Sequence, residues 1–311
     1  MKSNISIVIP FYNASEIIDK CLESLENQTS KNFEVIFVND CSKKEEFSRF
    51  EEKIKEYTFN YKIISNRKNS GPGITRNNGI KKCSSDYITF IDSDDFVELN
   101  FIEKSELIIK NNKPDIIYYD YYINKKICKP FHGEKEEYSN LEALALSNGM
   151  CWGKVYKKSI IEKYNIMFPN LIRSEDLAFI KVYLAKCKKI YYSKEPMYNY
   201  VMNKNSIMHT KKTIDINNNI EAFNYIKNNT LDGKEIEMIF IREYLYLIVQ
   251  NMILTKRSTK DIKEFIDSSC KMYSNWYNNE YIKYQPKYLK ILLFMIKNKL
   301  IFLLRIIFCF K

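Results

Sequence analysis

The sequence has no C-x-x-C pair. Its eight cysteines, Cys21, Cys41, Cys83, Cys128, Cys151, Cys187, Cys270 and Cys309, stand apart, several of them inside apolar runs. That argues against a zinc site or a disulfide framework and for a reducing, cytoplasmic compartment. The G-x-x-x-x-G-K-[ST] spacing is absent, which excludes a P-loop. There is no internal repeat and no Gly/Ser-rich linker, so neither a solenoid nor a string of loosely tethered modules is indicated. The opening MKSNISIVIPFYN offers only about five apolar residues before Pro10, too short a run for a signal peptide. Between Leu289 and Phe310 the longest uncharged stretch is Ile291 to Ile296, against the roughly 18–20 residues a bilayer span requires.

What is present begins with unevenly placed charge. The net charge is +11, and the last 56 residues, Lys256 to Lys311, carry twelve Lys/Arg against four Asp/Glu. The rest of the chain is close to neutral, so the basic tail calls for an anionic partner, membrane lipid or nucleic acid. Strands are predicted at Ile5–Ile9, Phe33–Val38, Tyr61–Ser65, Tyr87–Ile91 and Asp115–Tyr119 from their short, near-continuous apolar runs. Helices are predicted between them, at Ala14–Glu26, Lys43–Tyr57, from the glycine-punctuated NSGPGITRNNGI to about Cys83, and at Phe101–Lys110. This alternation predicts an α/β fold: an open, Rossmann-like, mostly parallel sheet with helices on both faces. From Tyr121 to Tyr138 the chain reads as loop, a mixed region follows to about Met208, and from Thr213 onward it reads as helical. The expected domains are therefore 1–212, with halves 1–120 and 121–212, and a helical region 213–311 with an amphipathic tail at 287–311.

The stretch DYITFIDSDDF, Asp86 to Phe96, is the strongest chemical signal. A buried strand delivers Asp92, Asp94 and Asp95 to the sheet edge where open α/β folds bind ligands. Three carboxylates in four positions repel one another and are costly to desolvate, and a hard divalent cation, Mg2+ or Mn2+, is their natural partner. Asp40 ends the second strand at the same edge; it either accepts the N3–H of a uracil ring or belongs to an Asx turn with Asn39. The Gly71-Pro72-Gly73 segment lets backbone approach a ligand, and Arg76 reads as lying in the first turn of the following helix, where a pyrophosphate would suit both cation and helix N-terminus. Ser174-Glu175-Asp176 is either an ordinary helix start or the place of a general base for a sugar hydroxyl. Trp152 and Lys154 offer an apolar platform with a cation beside it, or a piece of core. His209, one of two histidines, either joins a metal shell, contacts phosphate or is a surface residue.

In chain order, IVIPFYN (7–13), VNDCS (38–42), NSGPGITRNNG (69–79), YITFIDSDD (87–95), CWGKVYKKS (151–159) and SEDLAF (174–179) resemble the family 2 glycosyltransferases of the GT-A fold, over residues 4–210. The resemblance implies the bacterial, polysaccharide- or glycan-building type: an inverting hexosyl- or N-acetylhexosaminyltransferase using a nucleotide diphosphate donor, usually UDP-linked, with Mn2+ or Mg2+. By position it places Asp40 on the base, and Pro10, Tyr12, Gly71, Arg76 and Ser93 around the nucleotide. Asp92 falls toward ribose or metal and Asp94 on the metal, with His209 as a further ligand. Asp95, Trp152, Lys154 and Glu175 fall toward sugar or acceptor, and Asp176 on the catalytic base. The chain departs from the family after the Tyr-x-Tyr of Tyr198 and Tyr200, where Val201 stands in place of a frequent Arg; Lys204 is the candidate substitute, and the role of Ser206 is open with it.

On a single helix through the tail, Lys290, Lys297, Asn298 and Arg305 would fall within about 100° of one another, leaving a wide face of Ile, Leu and Phe with only Lys299 on the opposite side. Such a helix suits either an anionic membrane surface, on the inner face of the cytoplasmic membrane where a lipid-linked acceptor would be met, or docking on this domain or a second copy in a homodimer. Nucleic acid is disfavoured, since the charge lies beside a long apolar face. The competing enzyme class is a metal-dependent nucleotidyltransferase acting on sugar phosphates, which would use the acid cluster but not CWGK or the late Glu-Asp.

Overall fold

A computed structural model describes residues 4–133, 135, 137–202 and 216–309. The chain divides into two compact units, 1–130 with 149–204, and 131–148 with 205–311. The predicted boundary near residue 212 thus misses one exchange, because 131–148 belongs with the C-terminal helices.

The first unit is built on a sheet of nine strands among the described residues. They are β1 (Ile5–Phe11), β2 (Phe33–Asn39), β3 (Tyr61–Ser65), β4 (Tyr87–Phe90), β5 (Phe96–Val97), β6 (Ile116–Ile123), β7 (Lys126–Cys128), β8 (Lys154–Lys157) and β9 (Ile190–Tyr200). The spatial order is β3-β2-β1-β4-β8-β6-β9-β5, with β7 beside β6. The β3-β2-β1-β4 portion is parallel throughout. Past β4 the sheet is mixed: β8 is antiparallel to both β4 and β6, while β9 runs parallel to β6.

Strands β1 and β2 are apolar on both sides because helices cover both sides. Ile5, Ile7, Ile9 and Phe11 face a core with Cys21, Leu22 and Leu25 of α1 (Asp19–Glu26). Val8 points the other way, to α3 (Gly71–Ile80), the helix that follows α2 (Lys44–Lys53); next in chain order come α4 (Phe101–Asn112), α5 (Asn140–Leu146) and α6 (Lys158–Lys163). There, a Cβ on Gly79 would lie 2.4 Å from Val8 Cγ1, so glycine sets how closely α3 approaches the sheet.

Two sequence expectations change here. The segment after Tyr121 is not loop: β6 continues to Ile123 and turns back into β7 through Asn124 and Lys125, at φ 49° and 65°. The predicted helix at Ala14 begins only at Asp19. Strands β8 and β9 went unpredicted because KVYK and IYYSKEPMYNY carry charge and break alternation, and a bulge interrupts β9's pairing at Tyr119–Tyr121.

The second unit is helical. Its helix Asn140–Leu146 opens on a capping box: the Ser139 hydroxyl accepts from the Glu142 N–H at 3.2 Å and the Glu142 carboxylate accepts from the Ser139 N–H at 3.0 Å. Helices follow at Ile216–Asn229, Lys234–Ile239 continuing through π-helical Phe240–Tyr246 into Leu247–Leu254, and Thr259–Cys270. The tail forms two helices, Lys287–Lys297 and Ile301–Cys309, rather than the single helix predicted. They break at Asn298–Leu300, where Lys299 takes φ 52°. Leu289, Leu292, Leu293, Ile296, Ile301, Leu304 and Phe308 are buried. Among the described residues no helix is long and apolar enough to cross a membrane.

Candidate active site

The ends of β1, β2 and β4 and the start of α3 meet at one edge of the sheet. The loops after β1 and β2 are tied together: the Asn13 N–H donates to Ser42 Oγ at 3.0 Å and the Lys43 N–H to Asn13 Oδ1 at 2.9 Å. Pro10 pairs with Val38 at the end of β1, and Tyr12, just beyond it, is 52% exposed. An exposed ring at this edge of the sheet is available for stacking.

Asp40 is buried. Its carboxylate accepts from the Ser70 and Gly71 N–H groups at 2.8 and 2.9 Å and from the Asn66 side-chain amide at 2.8 Å. The Asx turn is made by its neighbour, the Ser42 N–H donating to Asn39 Oδ1 at 2.9 Å. Asp40 therefore caps α3 across the chain, since Ser70 makes no side-chain cap of its own. This qualifies the sequence reading of the helix start as a pyrophosphate site, because a carboxylate already occupies it. Gly71, at φ +80°, has open space where a Cβ would be, so its requirement is the left-handed turn.

The acids at the end of β4 have different surroundings. The Asp95 N–H donates to the Asp92 carbonyl at 3.0 Å, closing a tight turn. Asp95 is 0% exposed; its carboxylate accepts the Tyr198 hydroxyl at 2.6 Å and the Val201 N–H at 2.8 Å. Burial, then the charge of Asp92, pushes it up to about 8. It is thus a support held from β9 rather than a group facing sugar or acceptor. Tyr198, which sequence reading passed over except as part of Tyr-x-Tyr, also accepts the Asp92 N–H at 3.2 Å and so holds the acid run from beneath. Asp92 and Asp94 are half-buried, as is Ser93 between them. Burial and the neighbouring charge of Asp92 raise Asp94 to about 6.

Arg76 lies in the second turn of α3, not the first, and is 4% exposed. One guanidinium nitrogen reaches Asp92 Oδ1 at 2.7 Å; the other reaches Asp176 Oδ1 at 2.8 Å and Glu175 Oε1 at 3.3 Å. Phe168 supports the cation, 5.6 Å from its ring centroid, and is itself stacked on Phe179 at 3.9 Å. Glu175 and Asp176 open α7 (Glu175–Leu184), after Ser174 in a left-handed conformation, φ 65°, with no side-chain cap. Ser174 is thus a strained hinge into the helix and not the ordinary N-cap that the sequence allowed. Three carboxylates share one buried guanidinium, and burial followed by the charge of Asp176 lifts Glu175 to about 8. Asp176 is raised too, by burial, with Arg76 opposing. It stays partly exposed, and accepts the Cys151 N–H at 3.4 Å.

Trp152 and Lys154 do not form a sugar platform. Trp152 is 5% exposed, stacked on Tyr198 at 4.6 Å and on Tyr200 at 5.6 Å. Lys154 is buried on β8, its ammonium donating to the Trp152 carbonyl at 3.1 Å and lying over the Tyr118 ring at 4.9 Å. Burial brings it down to about 7. Lys154 serves the core because β8 is an interior strand between β4 and β6; Trp152, two residues before that strand, is covered by the β9 tyrosines. Lys204, Ser206 and His209 lie outside the described residues.

Among the described residues no three His, Cys, Asp or Glu side chains converge as a metal-ligand set. Asp92 and Asp94 nonetheless fit a hard cation: both are half-exposed oxygen donors, and the charge of Asp92 adds to burial in holding Asp94 near 6, a repulsion a cation would relieve. Two carboxylates suffice where substrate phosphates and water complete the shell, as they do for Mg2+.

A parallel sheet half that ends in an acid run, joined to a mixed half that delivers Glu175 and Asp176 to the same edge, defines the GT-A class of fold. Similarity to solved structures agrees. The TarS 1-349 structure of S. aureus in complex with UDP-GlcNAc superposes with a TM-score of 0.71 at 20% identity, over 97% of this chain and 89% of that one. At the level of sequence, the family model of Glycosyl transferase family 2 matches residues 6–166, just over half of the chain. The protein belongs to that family. The poly(ribitol-phosphate) beta-glucosyltransferase of Bacillus spizizenii is 33% identical over 204 residues, which is 64% of this chain and 32% of that protein. Glycosyltransferase GlyA of Streptococcus pneumoniae is 27% identical over 226 residues, 65% of this chain and 31% of its own length. The matched region is thus about a third of each of these relatives.

Proposed function

We propose that the protein is an inverting glycosyltransferase that moves a hexosyl or N-acetylhexosaminyl unit from a nucleotide diphosphate donor, UDP-linked, to a hydroxyl of a glycan or lipid-linked acceptor. The observation that carries this reading is the convergence of Asp176 and Asp92 on Arg76 at one sheet edge: a candidate base and the first of the donor-side acids lie within a single side chain's reach. UDP-GlcNAc in the TarS complex supports the choice of base; a mannosyltransferase of Pyrobaculum calidifontis was solved with GDP-Man and Mn2+ at 10% identity.

Tyr12, Pro10 and the Gly71 turn border the nucleotide, with Asp40 holding that turn in place. Asp92 and Asp94 would hold Mn2+ or Mg2+, which when bound neutralises charge on the departing diphosphate. Asp176 accepts the proton of the attacking hydroxyl, whose oxygen bonds to the anomeric carbon as the bond to the diphosphate oxygen breaks. One displacement from the opposite face inverts the configuration. Ser174's strained turn aims Asp176 from the head of α7 rather than leaving it as a solvated helix start.

The tail supports a peripheral position on the cytoplasmic face of the membrane. Residues 287–311 contain six Lys/Arg and no Asp/Glu. Tyr288, Ile291, Phe294, Phe302 and Ile306 are exposed alongside them.

The test is a panel of nucleotide sugars incubated with Mn2+, read as nucleoside diphosphate release and, with candidate acceptors, as product configuration. Asp176→Asn is expected to lower turnover by about 10³-fold or more while UDP affinity stays within about 3-fold. Retained turnover would reject Asp176 as the base, and pyrophosphate release in a parallel incubation with a nucleoside triphosphate and a sugar phosphate would favour nucleotidyl transfer.

A further inference from the structure

The sequence reading assigns Arg76 to the donor's diphosphate, and its surroundings argue otherwise. The side chain is 4% exposed, and its two terminal nitrogens are committed to Asp92, Asp176 and Glu175 at 2.7, 2.8 and 3.3 Å. Phe168 lies against the guanidinium. Behind the arginine, a Cβ at Gly73 would meet Glu175 Cγ at 3.0 Å and Phe168 Cβ at 3.1 Å, so α3 and the head of α7 are packed to contact on this side. A diphosphate could reach this cation only by displacing carboxylates from it, at the cost of leaving them unpaired, Glu175 in a buried position.

We infer that Arg76 is a positioning residue: it holds the Asp176 carboxylate in place and ties it to Asp92, so that the base and the donor-side Asp92 are set by one buried guanidinium. The inference rests on the reading of Asp176 as base. Its geometry is specific to arginine, because a planar fork can engage Asp92 from one nitrogen and Asp176 from the other. Lysine offers its three N–H donors from a single nitrogen at the end of a shorter reach and cannot span Asp92 and Asp176 as the fork does. Without any cation there, three clustered acids, Glu175 buried and Asp92 and Asp176 partly so, would face one another, and the head of α7 would lose its aim.

The experiment compares wild type with Arg76→Lys, Arg76→Met, Asp176→Asn and the double variant Arg76→Met/Asp176→Asn. UDP release from UDP-GlcNAc with Mn2+ gives kcat and KM, and calorimetry gives UDP affinity in the same buffer. Arg76→Met is expected to lower kcat by about 10²-fold with UDP affinity within about 3-fold, and Arg76→Lys to recover about a tenth of wild-type kcat. The double variant should be no slower than Asp176→Asn alone, since a residue that acts through Asp176 has nothing left to position. A UDP affinity weakened tenfold or more with kcat retained would overturn the inference in favour of a diphosphate ligand. Multiplicative losses in the double variant would overturn it as well. If Arg76→Met does not fold, the same contrast of kcat against UDP affinity is read on Arg76→Lys. A wild type that binds UDP but gives no release from any nucleotide sugar would instead reject the proposed function; in that event, a UDP affinity in Arg76→Lys equal to wild type supports a non-ligand arginine, and a tenfold loss overturns it.

Discussion

At the scale of single residues, the site depends on which charges are buried and what answers them. Arg76 is answered by three carboxylates, and Lys154 by a carbonyl and an aromatic face. Lys154 has the measurable consequence. Its proton leaves near pH 7 in the folded protein, against an ordinary lysine value near 10.5 in the unfolded chain. Between those values the unfolded chain binds more protons, so this residue makes stability rise with pH, by at most about 1.4 kcal/mol per unit. Below pH 7 the buried ammonium is a standing cost. Lys154→Met removes that dependence while keeping most of the volume. The difference in unfolding free energy between the variant and wild type, followed by urea melts from pH 6 to 10, should therefore move against the variant as pH rises. A difference that stays flat would mean Lys154 keeps an ordinary pKa.

At the scale of elements, α3 and β1 show the limits of intrinsic propensity. Alanine at position 79 would gain up to about 1 kcal/mol as a better helix former than glycine. It would also place a methyl 2.4 Å from Val8 Cγ1, on a branched, fully buried side chain that cannot swing aside. Overpacking of that kind costs about 1–3 kcal/mol and wins. Gly79→Ala is expected to be net destabilising by about 1–2 kcal/mol in urea unfolding; a stabilised variant would show that α3 can back away from the sheet.

The same element scale explains what was legible in the sequence. Strands β1, β2 and β4 read clearly because both faces are covered, leaving near-unbroken apolar runs; β3, the partly exposed edge strand, lies at the residues predicted. Their ends gave Asp40, Asp92 and Asp94 at one edge. Strands β8 and β9 did not read, because KVYK buries a lysine and β9 is bulged. With β8 misjudged, Trp152 and Lys154 looked available for sugar when they are core. Asp95 and Arg76 were visible as charges, but their pairing with Tyr198 and with Glu175 and Asp176 spans about 100 residues, beyond what spacing along a chain conveys. Phe168, under the guanidinium, carried no signal beyond being one of nineteen phenylalanines.

At the scale of the whole molecule, the question is what the C-terminal helices are for. They have two apolar sides. Leu289, Leu292, Leu293 and Ile296 are buried, which meets the demand for internal docking; Tyr288, Ile291, Phe294, Phe302, Leu303 and Ile306 remain outside. The cations around them are partly engaged within the fold, Lys299 with Asp267 and Lys297 over the Tyr277 ring at 4.1 Å, while Lys287 is exposed. Exposed aromatic and aliphatic side chains among cations, with no acid from 287 to 311, match an anionic bilayer surface better than a neutral protein partner. Deleting the tail would be a poor test, because it would strip buried leucines from the second unit and confuse unfolding with release. Substituting only outward residues avoids this. Ile291→Ser, Phe302→Ser and Ile306→Ser together should leave the melting temperature within a few degrees of wild type, yet shift the protein from the floating to the bottom fraction with vesicles containing about one-third phosphatidylglycerol. Raising salt to about 0.5 M should weaken wild-type flotation, since the lipid attraction is screened within a few ångströms at that ionic strength. Flotation that survives the triple substitution would place membrane contact elsewhere. A wild type that does not float, but whose dimer dissociates on the triple substitution, would give this face to a second copy of the chain.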